Sequence, residues 1–170
     1  MRHRVLAVVT AFAVSLLGCS SLPPARQISS PSEQLDNQPQ RLPVTAMAAI
    51  GEAEIKLEVA RTPEQMAKGL MFRSELAGDR GMLFPVEPEQ AVEFWMKNVQ
   101  MPLDIIFIRD GQVQNIVASA PTCDGSSGFC PQFSSGGPVD QVIEVPAGTA
   151  QALGLGVGDS VEIIALESTE

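Results

Sequence analysis

Two neighbouring runs decide the fold of this chain: EFWMKN at residues 93–98 and MPLDIIFI at residues 101–108. If they form a hairpin around residues 98–102, antiparallel pairing sets Lys97 opposite Asp104. Both faces of such a pair are mostly apolar, which is typical of central strands in a sheet that is covered on both sides. The pattern therefore predicts a central hairpin in which Lys97 and Asp104 satisfy each other.

The surrounding sequence predicts further short strands and two short helices. Residues 52–60 alternate between apolar and charged side chains, as a strand with one wet face does. Thr62-Pro63-Glu64-Gln65 is a capping box with proline at the first helical position, and a second short helix covers residues 147–153. The remaining predicted strands are residues 81–86, 92–97, 103–108, 112–118, 139–145 and 160–165. We expect one mostly β (α+β) domain over residues 42–166, with an antiparallel, closed or half-closed barrel-like sheet.

The amino-terminal segment has the pattern of an export signal. A positive start is followed by an apolar run over residues 5–17, too short to span a bilayer as a helix. The run ends in LLGCS, residues 16–20, which resembles the bacterial lipoprotein cleavage box. The resemblance implies a signal peptide over residues 1–18 and a lipid on the sulfur of Cys19; the alternative is an ordinary secretory signal with an incidental cysteine.

A tether is predicted to follow the lipidated cysteine. Residues 19–41 are rich in Pro and Ser and poor in apolar side chains, so they are expected to be disordered. The predicted location is the cell envelope, with the membrane contacted through Cys19. Ser20 after the cysteine favours the outer membrane, facing the periplasm, in a cell with two membranes.

Composition excludes several classes of function. The chain has 11 Lys+Arg against 20 Asp+Glu, a formal net charge of −9, and such an acidic surface disfavours a nucleic-acid partner. The chain has one histidine, His3, and it lies in the segment predicted to be removed. The exported protein therefore lacks Ser-His-Asp catalysis, Cys-His catalysis and histidine-ligated zinc, and we predict no catalytic residue, no metal and no cofactor.

Two cysteines remain after Cys19 is set aside. Cys123 and Cys130 lie in a loop rich in Gly, Ser and Pro, and export to an oxidising compartment predicts a disulfide between them. A redox pair or a metal site is the alternative, but the spacing is not Cys-x-x-Cys and no further Cys or His is available.

Several motifs resemble one protein family. Besides the two runs of the predicted hairpin, they are GLMFR (69–73), DRGMLF (79–84) and IEVPAG (143–148). Together they look like the bacterial and archaeal family catalogued as domain of unknown function 192. The resemblance implies a compact, β-rich and often exported domain, and it brings no accepted activity, substrate or catalytic residue.

The leading functional hypothesis is a non-enzymatic binding or accessory module that holds a protein partner or a small ligand. Its candidate surface consists of Glu93, Trp95, Lys97, Asn98, Asp104, Arg73 and Arg80. The two arginines flank a turn that carries acidic residues, so they form either a salt-bridged corner or a notch for a carboxylate.

Two alternatives involve other chemistry. A hydrolase of polysaccharide could use two of the carboxylates Glu93, Asp104, Asp79 and Glu144, with Trp95 stacking on the sugar. Copper(I) could bind the thioethers of Met66, Met71, Met82, Met96 and Met101. Against the copper hypothesis, methionine is also a common filler of irregular cores.

Overall fold

The structure is a computed structural model, and it describes residues 37–126 and 128–166. Within these ranges the chain forms nine strands and two short helices. In chain order they are β1 (Val44–Ile50), β2 (Ala53–Val59), α1 (Pro63–Lys68), β3 (Arg80–Gln90), β4 (Glu93–Trp95), β5 (Leu103–Arg109), β6 (Gln112–Ala120), β7 (Gln132–Ser134), β8 (Val139–Pro146), α2 (Thr149–Ala152) and β9 (Glu162–Ala165). The mostly β architecture with two short helices is confirmed.

Seven strands form one sheet in the order β6-β5-β8-β3-β2-β1-β9. The pair β2–β3 is parallel, whereas the other pairs of this sheet are antiparallel, so the sheet is mixed and the prediction of an antiparallel sheet is wrong for this one pair. The cause is α1, which lies in the connection between β2 and β3. A crossover through a helix returns the chain to the end of the sheet from which β2 began.

The sheet curls into a half-barrel. Residues just before β9 reach the start of β6: Val113 N–H donates to the Asp159 carbonyl (2.9 Å), and Val161 N–H donates to the Gly111 carbonyl (2.9 Å). The half-closed sheet of the prediction is therefore found, with the two edges joined by a few backbone bonds.

Both faces of the sheet are covered by apolar side chains. The inner cluster of the curl includes Leu57, Ile106 and Ile143. The outer cluster, which includes Met82 and Phe107, lies under β4, β7 and the loops beside them. Because alternate residues of a strand point to opposite faces, β5 is buried on both sides up to Ile108, as the sequence predicted.

The predicted hairpin between the two decisive runs is wrong. β4 pairs with β7 in a separate two-stranded sheet, and β5 pairs with β6 and β8. Between them, Met96, Val99 and Met101 are buried in the outer cluster. Because these apolar side chains pack against the sheet, the connection between β4 and β5 lies on the sheet and does not form an exposed turn.

Candidate functional site

A cavity of about 760 Å³ opens between α1, β3 and β4. We call it the Trp95 cavity. Its wall is mostly apolar and includes Met66, Leu70, Phe84, Val92, Phe94 and Trp95.

Local sequence signals build the helical wall of this cavity. The Thr62 hydroxyl accepts a bond from Gln65 N–H (3.2 Å), while the Gln65 side chain accepts one from Thr62 N–H (3.1 Å). This is the predicted capping box, and it fixes where α1 begins. The helix ends at Gly69, which has φ +46°. The short helix thus holds Met66 against the opening.

Aromatic contacts fix the opposite wall. The Phe94 ring packs edge-on against Phe84 (5.1 Å between centroids) and against Phe107 (5.9 Å). Trp95, the chain's single tryptophan, stays 44% exposed at the rim, and the Lys97 ammonium lies 5.2 Å from its ring centroid. The strand is therefore anchored by one ring and presents the next to solvent.

Glu144 is the unusual group of the Trp95 cavity. It lines the cavity from β8, yet it is only 4% exposed. Its neighbours on the adjacent strands are Met82 and Ile105, both 0% exposed. Burial without a cation raises the pKa of Glu144 to about 8. At pH 7 the group is therefore mainly an uncharged carboxylic acid that can donate one hydrogen bond and accept another.

The other charged groups of the cavity belong to its rim. Arg61, Glu87, Glu93 and Lys97 are exposed, and Lys68 is half-buried. A ligand would therefore meet both acidic and basic side chains at the rim before it reached the apolar wall and Glu144.

The structure brings together three residues of the predicted surface. Glu93, Trp95 and Lys97 line the Trp95 cavity, and Asn98 lies beside it, in a smaller depression of about 210 Å³. Their assignment to a functional site stays a prediction.

Asp104 does not belong to this surface. It is 0% exposed, and its two oxygens accept backbone N–H bonds from Ser119 (2.8 Å) and Ala150 (2.9 Å). The predicted pairing with Lys97 is wrong, because Lys97 follows β4 and lies over the Trp95 ring. Asp104 instead satisfies two backbone donors that β-ladder pairing leaves free.

The two predicted arginines also lie outside the cavity wall. Arg73 is 3% exposed and pairs with Glu58 (2.6 Å), while the same guanidinium donates to the carbonyl of Gln40 (2.6 Å). Arg80 is half-buried at the start of β3. Arg73 therefore fastens the segment before β1 to β2, which is a structural role.

The carboxylates proposed for hydrolysis and the methionines proposed for copper binding lie partly in the cavity wall and partly away from it. Asp79 is exposed, and its hydrogen bond with Lys56 holds its pKa below the usual value. With Asp104 committed to backbone donors, Glu93 and Glu144 are the two proposed carboxylates that share the cavity. Met82 and Met96 are fully buried in the outer cluster, so they fill the core; Met66 and Met71 line the cavity.

The predicted disulfide is present between Cys123 and Cys130, with an S–S distance of 1.99 Å. The carbonyl of Cys123 accepts a hydrogen bond from Asn98 N–H (2.6 Å), and the backbones of Cys123 and Lys97 pair in an isolated parallel β-bridge. The disulfide loop therefore supports the segment that follows Trp95.

The amino-terminal predictions fall mostly outside the described residues. The signal peptide (1–18), Cys19 and the tether up to residue 36 lie there. The last part of the predicted tether, residues 37–41, lies within the described residues, and there the Gln40 side chain donates to the carbonyls of Gln65 (2.8 Å) and Gly69 (2.9 Å). Among the described residues, none of the helices has the length and apolar character needed to cross a membrane.

Sequence reasoning missed the helical and β3 walls of the cavity, because Met66 and Phe84 resemble ordinary core residues. Glu144 did carry a signal, since it is the one charge within the apolar run VIEVP, residues 142–146. A charge at the centre of a buried strand is costly unless it is paired or used.

These features define a small β-rich domain with an apolar cavity that carries a buried carboxyl group. The family model described as "Uncharacterized ACR", domain of unknown function 192, matches residues 45–163. The chain belongs to this family.

Two solved structures are similar to this chain. One is a protein of unknown function from Novosphingobium aromaticivorans DSM 12444, with 37% identity over 74% of this chain and 92% of that one, and a TM-score of 0.63. The other is a proposed transcription regulator from Sinorhizobium meliloti 1021, with 34% identity over 69% of this chain and 90% of that one, and a TM-score of 0.61. No curated protein matches the chain.

Proposed function

We propose that this domain is a non-enzymatic binding module that takes a small, largely apolar ligand into the Trp95 cavity. We further propose that lipid on Cys19 holds it at a membrane of the cell envelope, the outer membrane where there are two. The ligand-binding proposal is carried by one observation: Glu144 lines the cavity with an exposed fraction of 4%, and its carboxyl group has no hydrogen-bond or ionic partner among the described residues.

The energetics support a ligand at this place. Desolvation of a carboxyl group that has no partner costs free energy, and the raised pKa of Glu144 reflects this cost. Proteins keep such groups mainly where a bound molecule or a reaction uses them. The cavity volume, about 760 Å³, is within the range of small-molecule sites.

Trp95 makes the proposal measurable. Because the chain has one Trp and no Tyr, excitation at the tryptophan band reports on the rim of the cavity alone. We expect the uncharged apolar dye N-phenyl-1-naphthylamine to quench Trp95 and to gain emission by energy transfer, with saturation at micromolar to millimolar dye.

A matched pair of variants tests where the dye binds. Met66→Lys places a charge on the apolar wall and should weaken dye binding at least tenfold, whereas Val157→Lys, at a surface residue that is 69% exposed, should leave it unchanged. The proposal would be contradicted if Met66→Lys left the affinity for the dye unchanged, or if the dye gave no saturable quenching of Trp95.

A carboxylate-dependent hydrolase of polysaccharide is the second candidate. It is favoured by the fact that Glu93 and Glu144 line one cavity with Trp95, and that one of them is protonated at neutral pH. Glu93→Gln separates the candidates: it abolishes turnover in a hydrolase and leaves dye binding in a binding module.

A further inference from the structure

The surroundings of Glu144 indicate which kind of head group the cavity accepts; this inference rests on the proposed ligand binding. On the sheet, Glu144 is flanked by the fully buried side chains of Met82 and Ile105. The cationic residues of the cavity lie on other elements than the strands that flank Glu144. Arg61 and Lys68 belong to the region of α1, and Lys97 follows β4 and lies over Trp95. The carboxyl thus meets a ligand in an apolar setting.

A charged ligand group is poorly matched to this setting. An ammonium placed beside Glu144 would lose its water and gain one carboxylate as partner, and buried ion pairs with few further hydrogen bonds do not recover their desolvation cost. A ligand carboxylate would face a second acid. An uncharged group that both donates and accepts avoids both costs.

We propose that the Trp95 cavity binds uncharged amides whose N–H and C=O lie on the same side, as in a primary amide or a lactam. The ligand C=O accepts the hydrogen of the Glu144 carboxylic acid, and the ligand N–H donates to the other Glu144 oxygen. The apolar body of the ligand packs against Phe94 and Trp95. Both carboxyl oxygens of Glu144 gain a hydrogen-bond partner in this arrangement.

The proposal predicts a pH dependence of binding. The charged groups that line the cavity with Glu144 are Glu87 from β3, Glu93 from β4, Lys97 after it, and Arg61 and Lys68 beside and within α1. None is a histidine or a cysteine, the side chains that ordinarily titrate near neutral pH. Amide affinity should therefore fall as Glu144 loses its proton.

The experiment compares three probes with the same phenyl body: phenylacetamide, phenethylamine and phenylacetate. Binding is followed by Trp95 fluorescence and by the backbone amide chemical shifts of the whole protein. Phenylacetamide should bind at least tenfold more tightly than the other two at pH 6.5. Its affinity should fall about thirtyfold at pH 9.5, given a Glu144 pKa of about 8.

Two variants and a fourth probe complete the test. Glu144→Gln keeps one donor and one acceptor, so phenylacetamide binding should lose its pH dependence, whereas Glu144→Leu should weaken binding at least tenfold at both pH values. N,N-dimethylphenylacetamide, which lacks the N–H, should bind several-fold more weakly than phenylacetamide.

The outcomes separate this inference from the binding proposal. Tighter binding of phenethylamine, lost in Glu144→Gln, overturns the amide inference and leaves cavity binding intact; so does tighter binding of phenylacetate. If none of the probes perturbs Trp95 and N-phenyl-1-naphthylamine also fails to bind, both proposals fall.

Discussion

Asp104 joins two separate parts of the fold through one carboxylate. Ser119 N–H and Ala150 N–H each donate to one of its oxygens, so the same side chain holds β6 and the start of α2. Ser119 has φ +51°, an uncommon value for a residue other than glycine, and the bond to Asp104 helps to hold it. The carboxylate therefore connects β6 to α2 from a fully buried position.

We expect Asp104→Asn to destabilise the domain by about 2–4 kcal/mol, because the amide keeps one acceptor and turns an N–H₂ toward a backbone donor. Urea unfolding measures the change. Asp124→Asn is the matched control: Asp124 also accepts from a backbone N–H, that of Ser126 (2.9 Å), but it is exposed, so we expect less than about 1 kcal/mol. A stable Asp104→Asn protein that had lost ligand would restore Asp104 to the site.

Glu144 makes the stability of the domain depend on pH. Its pKa is raised to about 8 in the folded chain from an ordinary value of 4.5. Between these values the folded state binds a proton that the unfolded state has released, so stability falls as pH rises, by about 1.4 kcal/mol per pH unit.

Glu144→Gln should remove this slope. The difference in unfolding free energy between the variant and the unaltered protein should shift in favour of the variant by about 3 kcal/mol from pH 5.5 to 7.5. Groups whose pKa is lowered, such as Asp79, are the same in both proteins and cancel. Parallel stability curves for the two proteins would show that Glu144 is ionised throughout.

At the level of elements, the sequence predicted local structure better than pairing. The capping box of α1, the two-sided burial of β5 and the disulfide all depend on side chains close together in the chain, and all were found. The partner of β4 depends on residues 132–134, and no local pattern indicates it. β1 was missed because its buried alanines, Ala46 and Ala48, give a weak alternation.

The same limit applies to the site. Glu93, Trp95 and Lys97 were found because they are close in sequence, whereas the cavity wall also comes from α1, β3 and β8. The parallel pair β2–β3, which the sequence did not predict, sets α1 and β3 beside each other. The missing information was therefore long-range contact.

Gly81 of β3 lies close to the neighbouring strands β2 and β8. A Cβ added there would lie 2.8 Å from the Glu144 carbonyl oxygen and 2.9 Å from Leu57 Cδ2. We expect Gly81→Ala to lower the unfolding free energy by about 2 kcal/mol or more, because backbone must shift to admit the methyl group. Gly78→Ala, where a Cβ meets nothing within 4 Å, should stay within about 1 kcal/mol. Equal melting temperatures for the two variants would show that the strands separate easily.

At the scale of the whole molecule, the acidic domain and the proposed anchor act in opposite directions. Removal of the predicted signal peptide, which carries Arg2 and Arg4, would leave 9 Lys+Arg against 20 Asp+Glu, a net charge of 9 − 20 = −11, and this charge disfavours contact with an anionic bilayer. Acyl chains on Cys19 would each add about 0.8 kcal/mol per buried methylene. The lipid would therefore keep the protein at the membrane while charge keeps the folded domain off its surface.

Cys19→Ser tests the anchor. Lipidation needs the thiol, so the variant should move from the detergent-soluble membrane fraction to the soluble fraction of the envelope, and mass spectrometry should no longer find acyl chains. Cys123→Ser with Cys130→Ser is the control, because it removes thiols without touching the cleavage box and should leave the protein in the membrane fraction. Membrane retention of Cys19→Ser would overturn the proposed anchor.

The docking of Gln40 has a mechanical consequence. Its side chain donates hydrogen bonds to the carbonyls of Gln65 and Gly69, and its own carbonyl accepts one from the Arg73 guanidinium. Tension that reached Gln40 along the chain would therefore be transmitted through these bonds to α1, which forms one wall of the cavity.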